Sequence, residues 1–142
     1  MRILLLTLTL LGLLWGQQEY ADPEPSILEP RQVLVEVNGD AHHVASVISN
    51  LNNLIKFYGP DKVTMKVVVY GPALKTLQKS DKEARPRWEA LMMYNVEVIA
   101  CENTMDTYKL TPDDLIGDLS FVRAGLVEVI ERKMMGWTHI KP

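Results

Sequence analysis

Gln32-Val33-Leu34-Val35-Glu36-Val37 and Val63-Thr64-Met65-Lys66-Val67-Val68-Val69-Tyr70 decide the fold, together with what lies between them. The first stretch carries apolar residues on both faces at its centre, the signature of a strand buried on both sides. The second is strongly β-branched and reads as a central strand. Between them, Asn38-Gly39-Asp40 makes a turn, and Asp40 is placed to cap a helix. Apolar residues then fall at positions 44, 47, 48, 51, 54, 55 and 58, a 3.6-residue period over about four turns. Gly59-Pro60-Asp61 stops that helix. Strand, single helix and strand form a βαβ unit, which pairs its strands in parallel.

The same alternation continues toward the C-terminus. Gly71-Pro72 opens a short helix over Pro72 to Gln78, and Lys79 to Arg87 reads as a charged, solvated stretch. Trp88, Leu91 and Met92 mark another helix that ends at Asn95, and Val96 to Cys101 is a third strand. Thr104 to Leu110 predicts a helical turn, and Thr111-Pro112-Asp113-Asp114 a helix start. Leu126 to Ile130 reads as a fourth strand, Glu131 to Met135 as a helical segment stopped by Gly136, and Trp137 to Lys141 as a final short strand. The expected fold is α/β, one domain over residues 32–142, with a mainly parallel sheet of about five strands and helices on both faces. The first strand is followed by no dinucleotide-binding glycine fingerprint, and the chain has no phosphate loop.

The N-terminus has a different character. Met1-Arg2 is followed by an apolar run, Ile3 to Leu14, and then by Trp15-Gly16. A basic start, a short apolar core and a small residue near the cut make a secretory signal peptide over residues 1–16. The run is short of the roughly 20 residues a membrane span needs, so no span is expected after cleavage. The expected location is the periplasm or the exterior. Residues 17–31 carry Pro23, Pro25 and Pro30, and form an extended lead-in.

The 142 residues hold 15 Lys and Arg against 18 Asp and Glu, a formal charge of −3. That balance excludes binding to nucleic acid through overall charge. The single cysteine, Cys101, excludes an internal disulfide framework and an all-cysteine zinc site. Cys101 falls at the carboxyl end of the third strand, the edge where open α/β sheets bind ligands. A helix is expected directly after it, capped by Asn103 or Thr104. Backbone N–H groups there stabilise a thiolate, the form that attacks sulfur or carries it. The charge of Glu102 works against that thiolate. The other reading of Cys101 is a buried apolar filler. His42 and His43 are adjacent at a helix start and point to different sides, and no further ligands lie at metal-binding spacing. No metal or organic cofactor is expected.

Several blocks, in order, resemble the DsrE/DsrF-like proteins, a family that includes sulfur-relay subunits of the TusD type and YchN-like proteins. They are Val33 to Asp40, the Asn-rich Ile48 to Leu54, Val67 to Pro72, Ala100-Cys101-Glu102-Asn103-Thr104-Met105, Gly125 to Ile130 and Gly136 to Pro142. The resemblance implies a flavodoxin-like three-layer domain that assembles into homo-trimers or hexamers. It also implies that Cys101 matches the cysteine proposed to accept sulfur as a persulfide, with donor and acceptor proteins as partners. Two functions are then expected to compete. In one, Cys101 carries sulfur, supported by Asn103, Thr104, Tyr70 and Gly71. In the other, the protein is a non-enzymatic oligomeric binding module with an inert Cys101 and a cleft near His42, His43, Tyr70 and Asn103.

Overall fold

The computed structural model describes residues 19–142, so the expected signal segment 1–16 lies outside the described residues. What is described of the lead-in has neither helix nor strand before Arg31. It is tied down by the Arg31 Nη2 bond to the Ala21 carbonyl at 2.6 Å, and by Tyr20 packing against Phe57 and Tyr58.

The deciding unit forms as its sequence dictates. A strand over Arg31–Val37 (β1) leads into a helix over Ala41–Tyr58 (α1), and the chain returns as a strand over Val63–Val69 (β2). The Asp40 carboxylate accepts the His43 N–H at 2.9 Å, the cap its position predicts. Gly59 closes α1 at φ 90°, a conformation that favours glycine. β1 and β2 pair in parallel from Arg31–Val63 to Val37–Val69. A third strand, Val96–Cys101 (β3), pairs parallel to β2, and Ser120–Val122 (β4) pairs parallel to β3. Thr138–Ile140 (β5) pairs parallel to the free edge of β1. The sheet is five-stranded and all parallel, in the order β4-β3-β2-β1-β5. Among the described residues, the remaining helices are Ala84–Met92 (α2), Glu102–Tyr108 (α3) and Gly125–Met134 (α4), with a 3-10 segment over Gly71–Leu77.

Strand side chains alternate between two faces. One face carries Val33, Val35, Val37, Val67, Val69 and Val98 against the α1 stripe Val44, Val47, Ile48, Leu51 and Ile55 and the α2 residues Trp88 and Leu91. Trp88 is fully buried, and its indole N–H donates to the Thr76 hydroxyl at 3.0 Å. The opposite face is smaller: Leu34, Val68 and Ile99 meet Val129 of α4, with Tyr70, Val122 and Trp137 around them. Helices therefore cover both faces in a flavodoxin-like three-layer domain.

Three local expectations change. Leu126 to Ile130 is not a strand but the first half of α4; the fourth strand is the shorter Ser120–Val122. The β-branched run misled because tertiary context outweighs β-propensity. Val129 faces the sheet, while Leu126, Val127 and Ile130 are more than half exposed. The charged stretch 79–87 contains the start of α2, where the Asp81 carboxylate accepts the N–H groups of Glu83 (3.1 Å) and Ala84 (2.9 Å). Thr111 donates from its N–H (2.7 Å) and its hydroxyl (2.8 Å) to the Asp114 carboxylate, yet only one 3-10 turn, Pro112–Asp114, follows. The chain then turns inward to bury Leu115 and Ile116. Among the described residues, no helix is long and apolar enough to cross a membrane.

Candidate functional site

Cys101 ends β3 and stands as the residue before α3. Alternation along β3 puts it on the α4 side of the sheet, together with Ile99. It is 5% exposed, but its surroundings are polar. The Gly125 N–H donates to Sγ at 3.3 Å, and the Arg123 carbonyl lies 3.9 Å away. The Thr104 N–H and hydroxyl and the Asn103 N–H also favour the sulfur anion, while the Asn103 N–H donates to the Arg123 carbonyl at 3.1 Å. The Thr104 hydroxyl accepts the Gly71 N–H at 3.2 Å, which leaves its own proton for Sγ. Burial pushes the Cys101 thiol up; the donors at Gly125, Thr104 and Asn103 outweigh it and hold the thiol below its ordinary value. The starts of α3 and α4 thus converge on one sulfur, as their unsatisfied N–H groups permit.

Two glycines make this approach possible. Gly71 turns the chain out of β2 at φ 56°, a left-handed conformation that presents its N–H to Thr104. Gly125 permits close packing. A Cβ there would stand 3.1 Å from Val68 Cγ1, 3.4 Å from Cys101 Cβ and 3.6 Å from Tyr70 Cβ. Without that atom, α4 lies against the sheet and brings its first N–H to the sulfur.

A second polar group stands two strands away on the same face and edge. Glu36, near the end of β1, is 6% exposed. One oxygen accepts from Lys141 Nζ at 2.8 Å and from the Tyr70 hydroxyl; the other accepts from His139 Nε2 at 3.0 Å. A carboxylate only accepts, so Nε2 of His139 carries the proton. Burial raises the Glu36 carboxyl, but Lys141, Tyr70 and His139 hold it below its usual value. Burial, and then the bond to Glu36, push the Tyr70 hydroxyl up.

The histidines are elsewhere. His42 lines a groove of about 500 Å³ between α1 and α2, with Asp81, Glu83 and Arg87 at its rim and Val44 and Ile48 among its lining. This groove lies on the opposite side of the sheet from Cys101. The His43 ring packs over Gly39, where a Cβ would come within 2.2 Å of it. Neither imidazole hydrogen-bonds to the Cys101 group. Among the described residues, no three His, Cys, Asp or Glu side chains are placed to hold a metal ion.

Of the residues singled out by sequence, Cys101, Asn103, Thr104, Tyr70 and Gly71 come together, and His42 and His43 stand apart. The sequence reading missed Gly125, Glu36, His139 and Lys141 as parts of this edge. The signal for Gly125 was present: Glu128 and Arg132 are four apart, and their 2.6 Å ion pair is a helical one. A helix over that segment puts Gly125 at its start.

A parallel, flavodoxin-like α/β protein with a polar-lined thiol at the carboxyl end of an inner strand is the class these features define. The chain belongs to the DsrE/DsrF-like family, whose family model matches residues 35–142. Among solved structures, the chain is similar to MTH1491 of Methanobacterium thermoautotrophicum, a protein of unknown function. The two are 27% identical with a TM-score of 0.71, over 80% of this chain and 99% of that one. It also shares its fold with the YchN protein of E. coli, at 16% identity and a TM-score of 0.65, over 79% of this chain and 99% of that one. None of the curated proteins matches it.

Proposed function

We propose that this protein is an exported sulfur carrier of the DsrE/DsrF-like type, holding sulfane sulfur as a persulfide on Cys101. The observation that carries this reading is the Gly125 N–H donated to Sγ at 3.3 Å, with Thr104 and Asn103 adding to the groups that hold the thiol below its ordinary value. Such donors favour an anionic sulfur, whether thiolate or persulfide. The Cys101 thiolate attacks the terminal sulfur of a polysulfide dianion. The adjacent S–S bond breaks and its electron pair leaves with the shortened polysulfide. Cys101 keeps one added sulfur as a persulfide anion. An acceptor thiolate then attacks that outer sulfur and restores the Cys101 thiolate, so no external oxidant is consumed.

The test is mass spectrometry of the folded protein after polysulfide treatment. A gain of about 32 Da on the Cys101 peptide is expected, and none in Cys101→Ser. Absence of the adduct in the folded wild type sinks the proposal. The intact mass also reads export: a mature chain beginning near Gln17 is expected from the basic start and apolar run of residues 1–16.

The proposed assembly is a homo-oligomer, a trimer or a hexamer. In support, the outer face of α4 leaves Leu126, Val127, Ile130 and Met134 exposed at 56, 55, 57 and 81%. Contiguous apolar exposure of this kind marks interaction sites. Ile130→Glu is expected to lower the sedimentation mass; an unchanged mass moves the interface off this face. The competing reading, a binding module with an inert cysteine, draws on the low exposure of Cys101 and on the groove at His42.

A further inference from the structure

The chain's last strand is joined to the thiol site by an unbroken series of contacts. β1 is the switch point of the sheet: α1 leaves it toward β2 on one face, and β5 arrives on its other edge after α4 has crossed the opposite face. The β1–β5 register pairs Leu34 with His139 and Val35 with Ile140, which brings Lys141 level with Glu36. His139 and Lys141 both hold the Glu36 carboxylate, and the Glu36 carboxylate holds the Tyr70 hydroxyl. Tyr70 in turn bears on the sulfur by two routes. Its Cβ faces the space above Gly125, where the N–H that reaches Sγ begins α4. Its next residue, Gly71, donates to the Thr104 hydroxyl that faces Sγ.

We infer that Glu36 and Tyr70 are positioning residues for the Cys101 cradle, locked in place by His139 and Lys141, a role that rests on Cys101 being the working thiol. The buried carboxylate is the centre of the lock. It gathers three donors onto β1, Tyr70 just after β2, His139 on β5 and Lys141 just after β5, and fixes the Tyr70 ring on the sheet. With the ring fixed, the Gly71 turn and the start of α4 keep the spacing at which their N–H groups reach Thr104 and Sγ. The C-terminal segment Gly136 to Pro142, which supplies no group to the sulfur itself, acquires a task in this way. Groups facing Glu36 from neighbouring elements are Tyr70, His139 and Lys141, with Asn38 beside Tyr70.

The experiment follows the rate of Cys101 alkylation against pH in the purified full chain, beside its unfolding midpoint. Tyr70→Phe and Glu36→Ala are expected to move the alkylation midpoint upward by about 0.5 pH and to slow alkylation at neutral pH roughly threefold. Glu36→Gln keeps an acceptor for Tyr70 and is expected to restore most of the wild-type profile. Glu97→Gln is the control. Glu97 lies on β3 and on the same sheet face as Cys101 and pairs with Lys66 of β2, and its substitution is expected to lower stability without moving the midpoint. An unmoved midpoint in both Tyr70→Phe and Glu36→Ala overturns the inference, as does an equal movement in Glu97→Gln. Failure of wild-type protein to take up sulfur would remove the carrier function instead, and the difference between variants would still be read.

Discussion

Gly125→Val is expected to unseat the thiol and to cost the fold about 2–3 kcal/mol. A Cβ at this position already stands 3.1 Å from Val68 Cγ1 and 3.4 Å from Cys101 Cβ. The two further methyls of valine have no space, because Val68 is fully buried at the centre of the smaller core. Removing a glycine from a helix favours the helix by up to about 1 kcal/mol, which is less than the overpacking costs. The helix start must lift, and the Gly125 N–H leaves the sulfur. Burial, which pushes the thiol up, then acts against fewer donors. A denaturant titration reads the first effect, and an upward move of the alkylation midpoint reads the second. Gly125→Ala separates the two: the neighbour needs to give only a few tenths of an ångström, and its stability is expected to stay within about 1 kcal/mol of wild type. Wild-type stability and wild-type alkylation in Gly125→Val would show that α4 does not seat the sulfur.

Trp88→Ala is expected to destabilise the domain by about 3–5 kcal/mol without changing the thiol. Trp88 is fully buried on the α1–α2 side, and no small shift of α2 fills the space its ring leaves. Marginal domains hold about 5–15 kcal/mol in total, so this one truncation consumes much of the margin. The Thr76 hydroxyl loses its indole donor but still donates to the Ala73 carbonyl at 2.7 Å, so the hydrogen-bond part of the loss is the minor one. Trp88→Phe keeps most of the ring volume and is expected to cost about half as much. Thermal or denaturant unfolding checks both variants. The alkylation midpoint of the surviving fold is expected to match wild type, since the sheet separates Trp88 from Cys101. A shift there would mean that the two faces do not act independently.

The contrast between these two positions explains what the sequence makes legible. The α1–α2 face follows from periodicity: the stripe from Val44 to Ile55 and the β-branched β2 both state their burial directly. The first three strands, the helix between the first two, its cap at Asp40 and its glycine stop at Gly59 are local features and read correctly. Cys101 at a strand end, with Asn103 and Thr104 after it, is legible for the same reason. The half of the cradle supplied by α4 is not. Val127, Val129 and Ile130 have the propensity of a strand, and only tertiary packing makes them a helix that buries one of them. Gly125 contacts Val68, 57 positions earlier in the chain; the Glu128 and Arg132 spacing marks the helix but not that contact. Glu36 reads as an ordinary interruption of an apolar strand. Its meaning depends on Lys141 and His139, more than 100 residues away, arriving on β5. The histidine pair shows the reverse error. His42 and His43 attract notice as chemistry-bearing residues, but one lines a groove on the far face and the other covers Gly39.

The sign of the pH dependence follows from the same cradle. A thiol held down in the folded chain binds fewer protons than the unfolded chain between its folded value and its ordinary value of 9.0. Across that window the stability rises with pH, and it is lost as pH falls through the folded value. The most direct measurement is therefore the rate of iodoacetamide alkylation of native wild-type protein against pH, with the site of labelling confirmed as Cys101. Labelling of the folded chain is expected along one sigmoid whose midpoint lies below the ordinary thiol value of 9.0. A midpoint at or above that value, or labelling that begins only once denaturant unfolds the protein, contradicts it.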